Sequence, residues 1–331
     1  MLKLSDFDYL LPKALIAQYP LKERDNARLL ILDRKKGSIE HRIFKDITEY
    51  LKKEDLLVLN NTKVKACRIK ARRLTGGKLE LLLVKQKRGL VFEALIKPGR
   101  VRIGEEIIFN GGQASARISA RNEVTFNLKD RNEVYKLGAM PLPPYIKREP
   151  EAIDNLYYQT VYAKEEGAIA SPTAGLHFTE GLISKIESAG IDIAYVTLHV
   201  GYATFRPVKS EDITRHKMEP EYFEISDKAR RLIKKAKENP KARICAVGTT
   251  SCRALEAYAQ GKAKGQTHLF IYPGYKFKAI DCLLTNFHLP RTTLFMLVCA
   301  FAGERLIKKA YQEAIDKKYR FYSYGDAMLI I

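Results

Sequence analysis

Short apolar runs alternate along the chain with polar, glycine-containing loops, and one such loop stands out. This loop comprises residues 167–178, GAIASPTAGLHF. Thr179, directly after it, is the predicted N-cap of a helix that ends before Gly190. Apolar residues recur at helical spacing between these two positions. The pattern therefore predicts a close-approach loop and places His177 near the N-terminus of a helix, although a loop of this composition is also typical of a plain connection.

An apolar run followed by a polar loop with glycine or proline occurs three more times. An apolar run from Ile191 leads into residues 197–208, TLHVGYATFRPV, and a short buried-type run leads into residues 244–259, ICAVGTTSCRALEAYA. Residues 285–303, TNFHLPRTTLFMLVCAFAG, lead into a very apolar helix predicted from Pro290. Because ligands bind at the carboxyl ends of strands in open α/β sheets, we expect the four loops to converge on one crevice.

A different pattern occupies residues 63–138. Short alternating or β-branched runs (LELLLVK, LVFEALIK, EEIIF, ASARIS and EVTFNL) are separated there by glycine-containing turns, which is typical of a small barrel. Strand-helix alternation resumes after the proline-rich joint MPLPPYIKREP. We therefore predict an α/β fold, in which a split α/β domain with strand-helix alternation (1–62 and 139–331) carries an inserted small all-β barrel domain (63–138).

The charge of the chain favours a nucleic-acid partner. Lys plus Arg number 58 and Asp plus Glu 38, for a net charge of +20 and a pI of about 9.6. The excess is concentrated between residues 60 and 90, where Glu80 is the single acid. A solvated lysine-rich face that protects strand edges is the alternative. We expect six of these residues to contact an RNA backbone, namely Lys63, Lys65, Arg68, Lys70, Arg72 and Arg73.

The cysteines and the apolar runs limit the class of protein. There are 5 cysteines, an odd number without a CxxC pair, which favours reduced thiols in a cytoplasmic protein over a disulfide framework or a zinc site. We expect no metal site. The start of the chain, MLKLSDFDYLLPK, does not have the pattern of a signal peptide, and no apolar run reaches the roughly 18 residues of a membrane span. We therefore expect no association with a membrane.

The most specific signal lies in long consecutive strings of residues. They are LSDFDYLLPKALIAQYP, RDNARLL, LLVLNNTKV, MPLPPYIKR, YQTVYA, HKMEPEYFEI, IYPGYKFK and YRFYSYGDAMLI, together with the four loops described above. From end to end the chain resembles the S-adenosylmethionine:tRNA ribosyltransferase-isomerase family of queuosine biosynthesis. The least similar part, roughly 70–135, is what a variable barrel surface would give.

The resemblance implies a reaction and its partners. The ribosyl part of S-adenosylmethionine moves onto the aminomethyl group of 7-aminomethyl-7-deazaguanine at the wobble position of a tRNA and is isomerised to epoxyqueuosine, while adenine and methionine leave. The family's proposed path begins with loss of a proton from the ribose 5′ carbon beside the sulfonium. No cofactor is implied, because S-adenosylmethionine is consumed as a substrate. We expect a monomer.

Such a reaction needs a general base, a donor to adenine and stabilisation of transient charge, which favours imidazole, hydroxyl and amide groups. His177, His199 and His288 lie in motifs that match the family, and we predict them as a catalytic group without assigning base and acid. His199 and His288 can equally serve to end a strand and orient a turn. The predicted substrate-binding residues are Thr173, Gly175, Arg206, Thr249, Thr250, Tyr272 and Asn286, and Glu219, Glu221 or Glu224 is an alternative base.

Two positions depart from the family pattern, and two other classes of protein remain open. The family commonly has an aspartate where this chain has Asn61 and an acidic residue where it has His268. An S-adenosylmethionine-dependent RNA methyltransferase would normally show a glycine-rich turn after its first strand and an acidic residue at the next strand end, and no such pair is visible. A non-catalytic RNA-binding protein would explain the charge but not the histidine-bearing loops.

Overall fold

The structure, a computed structural model, describes residues 2–202 and 208–331. In these ranges the strands are β1 (Arg28–Asp33), β2 (Ser38–Ile43), β3 (Leu56–Asn60), β4 (Thr62–Val64), β5 (Arg68–Arg73), β6 (Lys78–Arg88), β7 (Val91–Lys97), β8 (Glu106–Phe109), β9 (Ala114–Ala120), β10 (Glu123–Asn127), β11 (Gly138–Ala139), β12 (Glu165–Ala168), β13 (Asp192–Leu198), β14 (Glu221–Glu224), β15 (Ile244–Val247), β16 (Lys264–Thr267), β17 (Cys282–Asn286) and β18 (Ala327–Ile330). The α-helices are α1 (Arg131–Lys136), α2 (Ala152–Tyr157), α3 (Glu180–Ser188), α4 (Asp227–Glu238), α5 (Gly248–Tyr258), α6 (Thr293–Ala302) and α7 (Glu304–Asp316).

A mixed sheet forms the larger part of the molecule. Its described strands follow the order β16-β14-β13-β3-β15-β17-β18-β1-β2. The four central strands β13, β3, β15 and β17 run parallel to one another. Their neighbours β14 and β18 run antiparallel to this group. The carboxyl ends of the four central strands therefore meet at one edge of the sheet.

Apolar residues alternate between the two faces of this sheet, so both faces are covered. On β1, Leu30 and Leu32 belong to the cluster that contains side chains of α4, α5, α6 and α7, whereas Leu29 and Ile31 belong to the cluster that contains side chains of α3. All four leucine and isoleucine side chains are buried. The result is a three-layer arrangement, in which helices cover both faces of a mixed sheet.

Local signals explain where the helices begin. The Thr179 hydroxyl accepts a hydrogen bond from the backbone N–H of Leu182 at 3.1 Å, which confirms the predicted cap of α3. α6 begins at Thr293 and not at Pro290, because Arg291 has a φ of +59° and Thr292 supplies the cap. Between residues 2 and 62 the helical pieces are all short 3₁₀ segments.

The second sheet closes on itself. Strands β5, β6, β7, β10, β9 and β8 follow one another, and pairing of β8 with β5 completes a six-stranded antiparallel barrel within the described residues. Its interior is a separate apolar cluster that includes Ile69, Leu81, Phe92 and Ile118. The predicted fold class, a split α/β part with an inserted all-β barrel, is confirmed, while the predicted domain limits stay a prediction.

A buried carboxylate connects the proline-rich joint to the end of the chain. Asp154 is fully buried and receives hydrogen bonds at 2.7 Å from both Nη atoms of Arg148 and from the Tyr324 hydroxyl. Bidentate pairing of this kind fixes geometry as well as charge. It therefore holds the joint against the segment that precedes β18.

The five cysteines are all buried free thiols. Within residues 2–202 and 208–331, no helix is long and apolar enough to cross a membrane.

Candidate functional site at the carboxyl edge of the sheet

A cavity of about 430 Å³ lies at the edge of the sheet where the central strands end. Three of the four loops singled out in the sequence line it, through residues 170–174, residues 248–250 and six residues between 285 and 294, and the fourth contributes Val200. The expected convergence of these loops on one crevice is therefore seen. The volume falls within the range of roughly 300–1,000 Å³ that is typical of small-molecule sites.

Unpaired polar atoms are concentrated in the wall of this cavity. Four buried atoms, Ser171 Oγ, Thr250 Oγ1, Asn286 Oδ1 and the Tyr322 hydroxyl, have no hydrogen-bond partner among the described residues, and all four residues line the cavity. Buried polar atoms in folded proteins are nearly always paired, since an unpaired one costs roughly 1–3 kcal/mol. A ligand with donors and acceptors that match would supply the missing partners.

His288 is the one predicted catalytic histidine among the described residues that line the cavity. Its Nε2 is 2.7 Å from the Thr285 hydroxyl, and its backbone N–H and C=O are bonded to the hydroxyls of Tyr311 and Tyr9. Burial lowers its pKa to about 3. The ring is therefore neutral at pH 7 and is held in a fixed orientation.

His177 lies one layer behind the cavity wall. Asn286 Nδ2 donates to His177 Nε2 at 3.2 Å and to the backbone carbonyl of Tyr322 at 3.1 Å. Burial lowers the pKa of His177 to about 4, partly opposed by a hydrogen bond to the backbone of Arg24. A neutral His177 therefore accepts a hydrogen bond from the side-chain amide of Asn286. This bond sets the orientation of the amide and leaves Asn286 Oδ1 without a partner among the described residues. The ring of Phe44 packs against the imidazole at 4.9 Å.

His199 lies beside the cavity, next to the wall residue Val200. Its Nδ1 is 2.8 Å from the Thr62 hydroxyl, and its half-buried ring stacks on Tyr222 with centroids 5.7 Å apart. Burial, followed by the charge of Lys65, lowers its pKa. Gly167 lies so close that a Cβ there would be 2.7 Å from the imidazole.

The predicted substrate-binding residues divide between the cavity and its surroundings. Thr173, Thr249, Thr250 and Asn286 line the cavity. Gly175 is outside that lining, and its lack of a side chain is explained by Tyr162, whose hydroxyl lies 2.0 Å from where a Cβ would be. Tyr272 is half-buried against Phe270 and is not part of the lining. Arg206 is outside the described residues.

The first turn of α5 brings backbone N–H groups to the cavity. Gly248 opens the helix with a φ of +86°, a conformation that favours glycine, and no side chain caps the helix. Helix N-termini favour negatively charged and acceptor groups. Together with Thr249 and Thr250, this turn suits a carboxylate or a ribose.

Several lining residues were not predicted from the sequence as site residues. They are Lys13, Ile16, Gln18, Tyr145, Lys147 and Ser323. Tyr322, an aromatic residue that suits stacking on the adenine or the deazaguanine, also lines the cavity. Tyr322 has a φ of +73°, a strained value for an aromatic residue, and its ring lies 4.3 Å from that of Tyr145. In the sequence, these residues are marked only by the long consecutive strings that carry the family resemblance. Isolated lysines and tyrosines have no pattern that would distinguish them as site residues. Lys13 and Lys147 are exposed, so they place positive charge at the mouth.

Five of the six predicted RNA-contact residues make ion pairs or ring contacts within the protein. Arg68 and Arg73 are bonded to Glu80 and Glu105 at 2.7 and 2.6 Å. Lys63 lies 3.7 Å from Glu166, and half-buried Lys65 lies 5.0 Å above the ring of Tyr135. These four basic side chains are therefore less available to an RNA than the sequence alone indicates.

Lys70 and Arg72 lie on the outer face of β5 and line a surface groove. The groove measures about 770 Å³ and includes Lys78 and Lys97, with Glu80 and Glu149 as its acidic members. Lys70 and Glu149 are both exposed, so their 3.0 Å ion pair contributes little to stability. We call this surface the barrel groove.

A cleft connects the barrel groove to the cavity. It shares Lys97 and Glu80 with the groove and Pro144 with the cavity. The cleft therefore adjoins both the cavity and a basic surface of the barrel.

The positions that depart from the family pattern lie outside the cavity lining. Asn61 Oδ1 accepts from the Thr197 hydroxyl at 2.8 Å. His268 is exposed, with its Nδ1 3.3 Å from the carbonyl of Met218. In the part of the chain that the structure describes, no group of three or more His, Cys, Asp or Glu side chains is arranged to hold a metal ion.

The two buried histidines make the fold sensitive to acid. In the unfolded chain each imidazole binds a proton near its usual pKa of 6.5, whereas the folded chain holds these pKa values at about 4 and about 3. Because the unfolded state binds more protons, stability is lost as pH falls below 6.5, by about 2 kcal/mol per histidine between pH 7 and pH 5. We expect His288→Gln to lose correspondingly less over this interval than the wild type, measured by denaturant unfolding. Equal losses would contradict the assignment of His288 as a buried neutral group.

Known proteins similar to this chain agree on one family. Residues 4–330 match the family model described as queuosine biosynthesis protein. A relative from Sulfurihydrogenibium sp. (strain YO3AOP1), named S-adenosylmethionine:tRNA ribosyltransferase-isomerase, is 52% identical over 337 residues and covers 100% of both chains. One of the same name from Clostridioides difficile (strain 630) is 48% identical over 343 residues, with 99% of this chain and 100% of the relative covered.

A solved structure is similar over nearly the whole chain. It is the crystal structure of S-adenosylmethionine tRNA ribosyltransferase from Thermotoga maritima, which is 37% identical with a TM-score of 0.58 and covers 98% of this chain and 100% of that one. On the family model, the relatives and this structure together, the chain belongs to the queuosine biosynthesis protein family.

Proposed function

We propose that this protein is an S-adenosylmethionine:tRNA ribosyltransferase-isomerase. It transfers the ribosyl moiety of S-adenosylmethionine to 7-aminomethyl-7-deazaguanine at the wobble position of a tRNA and isomerises it, which gives epoxyqueuosine-tRNA, adenine and methionine. The observation that carries the proposal is the match with enzymes of this name at about 50% identity over the full chain. S-adenosylmethionine is a substrate, and we expect a cytoplasmic monomer that needs no cofactor.

The cavity suits the adenosyl substrate. Tyr145 and Tyr322 offer aromatic faces at one side, which suit a purine or deazapurine ring. The first turn of α5 offers N–H and hydroxyl groups for the ribose or the methionine carboxylate. The buried atoms without partners, Asn286 Oδ1 among them, supply acceptors and donors that a polyfunctional ligand can pair.

His288 is the histidine best placed to take part in proton transfer. It lies in the wall, it is neutral at pH 7, and it is oriented through Thr285. A neutral imidazole has a lone pair that can accept a proton, and burial makes this one a weaker base than an exposed histidine. His177 then acts through Asn286, and His199 acts from the side of the cavity beside Val200.

The tRNA is proposed to lie along the barrel groove with its wobble base in the cavity. The cleft between the two provides the path, and the exposed cations of the groove suit a phosphate backbone. Lys13 and Lys147 at the mouth suit phosphates next to the wobble nucleotide.

Free adenine is the product that distinguishes this function. We expect its release when the protein is mixed with S-adenosylmethionine and a tRNA that carries 7-aminomethyl-7-deazaguanine, and none with the matching tRNA that carries guanine. Chromatography of the small-molecule products measures it. S-adenosylhomocysteine in its place would indicate a methyltransferase, and unchanged S-adenosylmethionine a binding protein.

Removal of the Tyr322 hydroxyl should distinguish an effect on ligand binding from an effect on stability. The hydroxyl has no hydrogen-bond partner within residues 2–202 and 208–331, so Tyr322→Phe should leave the free energy of unfolding nearly unchanged while raising KM for S-adenosylmethionine about tenfold. Tyr162→Phe is the matched control, since its hydroxyl is also buried and unpaired but lies outside the cavity lining. Equal KM values for the two variants would argue against a ligand contact at Tyr322.

Charge removal in the barrel groove should weaken tRNA binding. Replacement of Lys70, Arg72 and Lys78 by Gln should lower tRNA affinity and flatten the slope of log K against log salt by up to about 3 units, because phosphate contacts release counterions. The control replaces three exposed lysines on α4, namely Lys228, Lys234 and Lys237. If both triple variants show the wild-type slope, the tRNA does not lie in the groove.

A further inference from the structure

Glu221 and Arg253 form a buried ion pair next to the cavity. They are 4% and 5% exposed, and Arg253 Nη1 donates to Glu221 Oε2. Arg253 Nε also donates to the backbone carbonyl of Leu269 at 3.1 Å. Neither charged residue is part of the cavity lining.

The second oxygen of Glu221 reaches the cavity wall. Oε1 accepts the backbone N–H of Gly201 at 2.9 Å, and Gly201 directly follows the wall residue Val200. The neighbouring His199 N–H donates to the carbonyl of Tyr222 at 2.9 Å, at the antiparallel contact of β13 with β14. The Glu221 carboxylate therefore holds the segment that follows β13 against β14, beyond the last paired residues of the two strands.

Arg253 belongs to the helix that forms another part of the wall. It lies on α5, the helix whose first turn, Gly248 to Thr250, lines the cavity. The ion pair consequently connects the wall after β13 with the wall that begins α5. Hydrogen bonds to a charged partner are short and directional, so such a link fixes distance as well as contact.

A second carboxylate–arginine pair lies at the other edge of the sheet, with a buried carboxylate and a half-buried arginine. Asp55, which is 1% exposed, is bonded to Arg243 at 2.6 Å. Asp55 precedes β3 and Arg243 precedes β15, so this pair lies at the amino ends of the central strands. It provides a control for the general cost of disrupting a buried ion pair.

Buried ion pairs are a weak source of stability, since desolvation offsets most of their attraction. We propose that Glu221 and Arg253 are positioning residues, which hold Val200 and the first turn of α5 at the separation required to bind S-adenosylmethionine for reaction. This inference rests on the proposed function. It assigns Glu221, one of the carboxylates considered as an alternative base, to the geometry of the wall.

The test compares Glu221→Gln and Arg253→Lys with Asp55→Asn. We expect kcat/KM for S-adenosylmethionine, followed by adenine release at saturating tRNA, to fall at least about tenfold in the first two and to stay within about twofold of wild type in the third. KM for tRNA should be unchanged in all three. Tm is measured in parallel, so that a loss of folding is separated from a loss of geometry.

The double variant Glu221→Gln/Arg253→Gln adds a readout that general destabilisation would not move. Removing one partner leaves a buried charge unpaired, whereas two amides can bond to each other, so we expect the double variant to recover part of the kcat/KM lost in Glu221→Gln. If Glu221→Gln fails to fold, kcat/KM for S-adenosylmethionine is compared between wild type, Arg253→Lys and the double variant.

Two results overturn the inference. One is wild-type kcat/KM in Glu221→Gln and Arg253→Lys, and the other is a loss in Asp55→Asn as large as theirs. Absence of adenine release from the wild type would instead overturn the proposed function, so the two failures are distinguishable.

Discussion

The site depends on the parallel pairing of four neighbouring strands. Because β13, β3, β15 and β17 run in one direction, the chain leaves all of them at the same edge, and the loops that follow must lie side by side. The apolar residues of both sheet faces are covered by helices, so the loops are built on a rigid base. Ser171, which follows β12, and Tyr322, which precedes β18, add polar side chains to this edge from distant parts of the chain.

Burial determines what those polar groups can do. Desolvation keeps His177 and His288 neutral, and the hydrogen bond from Asn286 to His177 sets the orientation of the amide in the wall. The same low-dielectric surroundings leave hydroxyl and amide atoms without partners until a ligand arrives. Preorganised, unpaired groups are what a site needs in order to recognise a ligand with many donors and acceptors.

Local patterns predicted the elements well, because capping and alternation are properties of neighbouring residues. The Thr179 cap, the strand before Gly248 and the barrel strands are examples. The sequence placed the histidine-bearing loops together but did not indicate which ring faces the cavity, since His177 and His288 occur in equally polar loops. Lys13 and Lys147 come from segments far from those loops, and only the folded chain brings them to the mouth.

The central claim is that the cavity at the carboxyl ends of the central strands holds S-adenosylmethionine. A crystal structure of the protein with S-adenosylmethionine and an anticodon stem-loop that carries 7-aminomethyl-7-deazaguanine tests this most directly. We expect ligand density between the first turn of α5 and the rings of Tyr145 and Tyr322, with Thr250 Oγ1 and Asn286 Oδ1 newly paired. Density for S-adenosylmethionine elsewhere, with these atoms still without partners, would contradict the central claim.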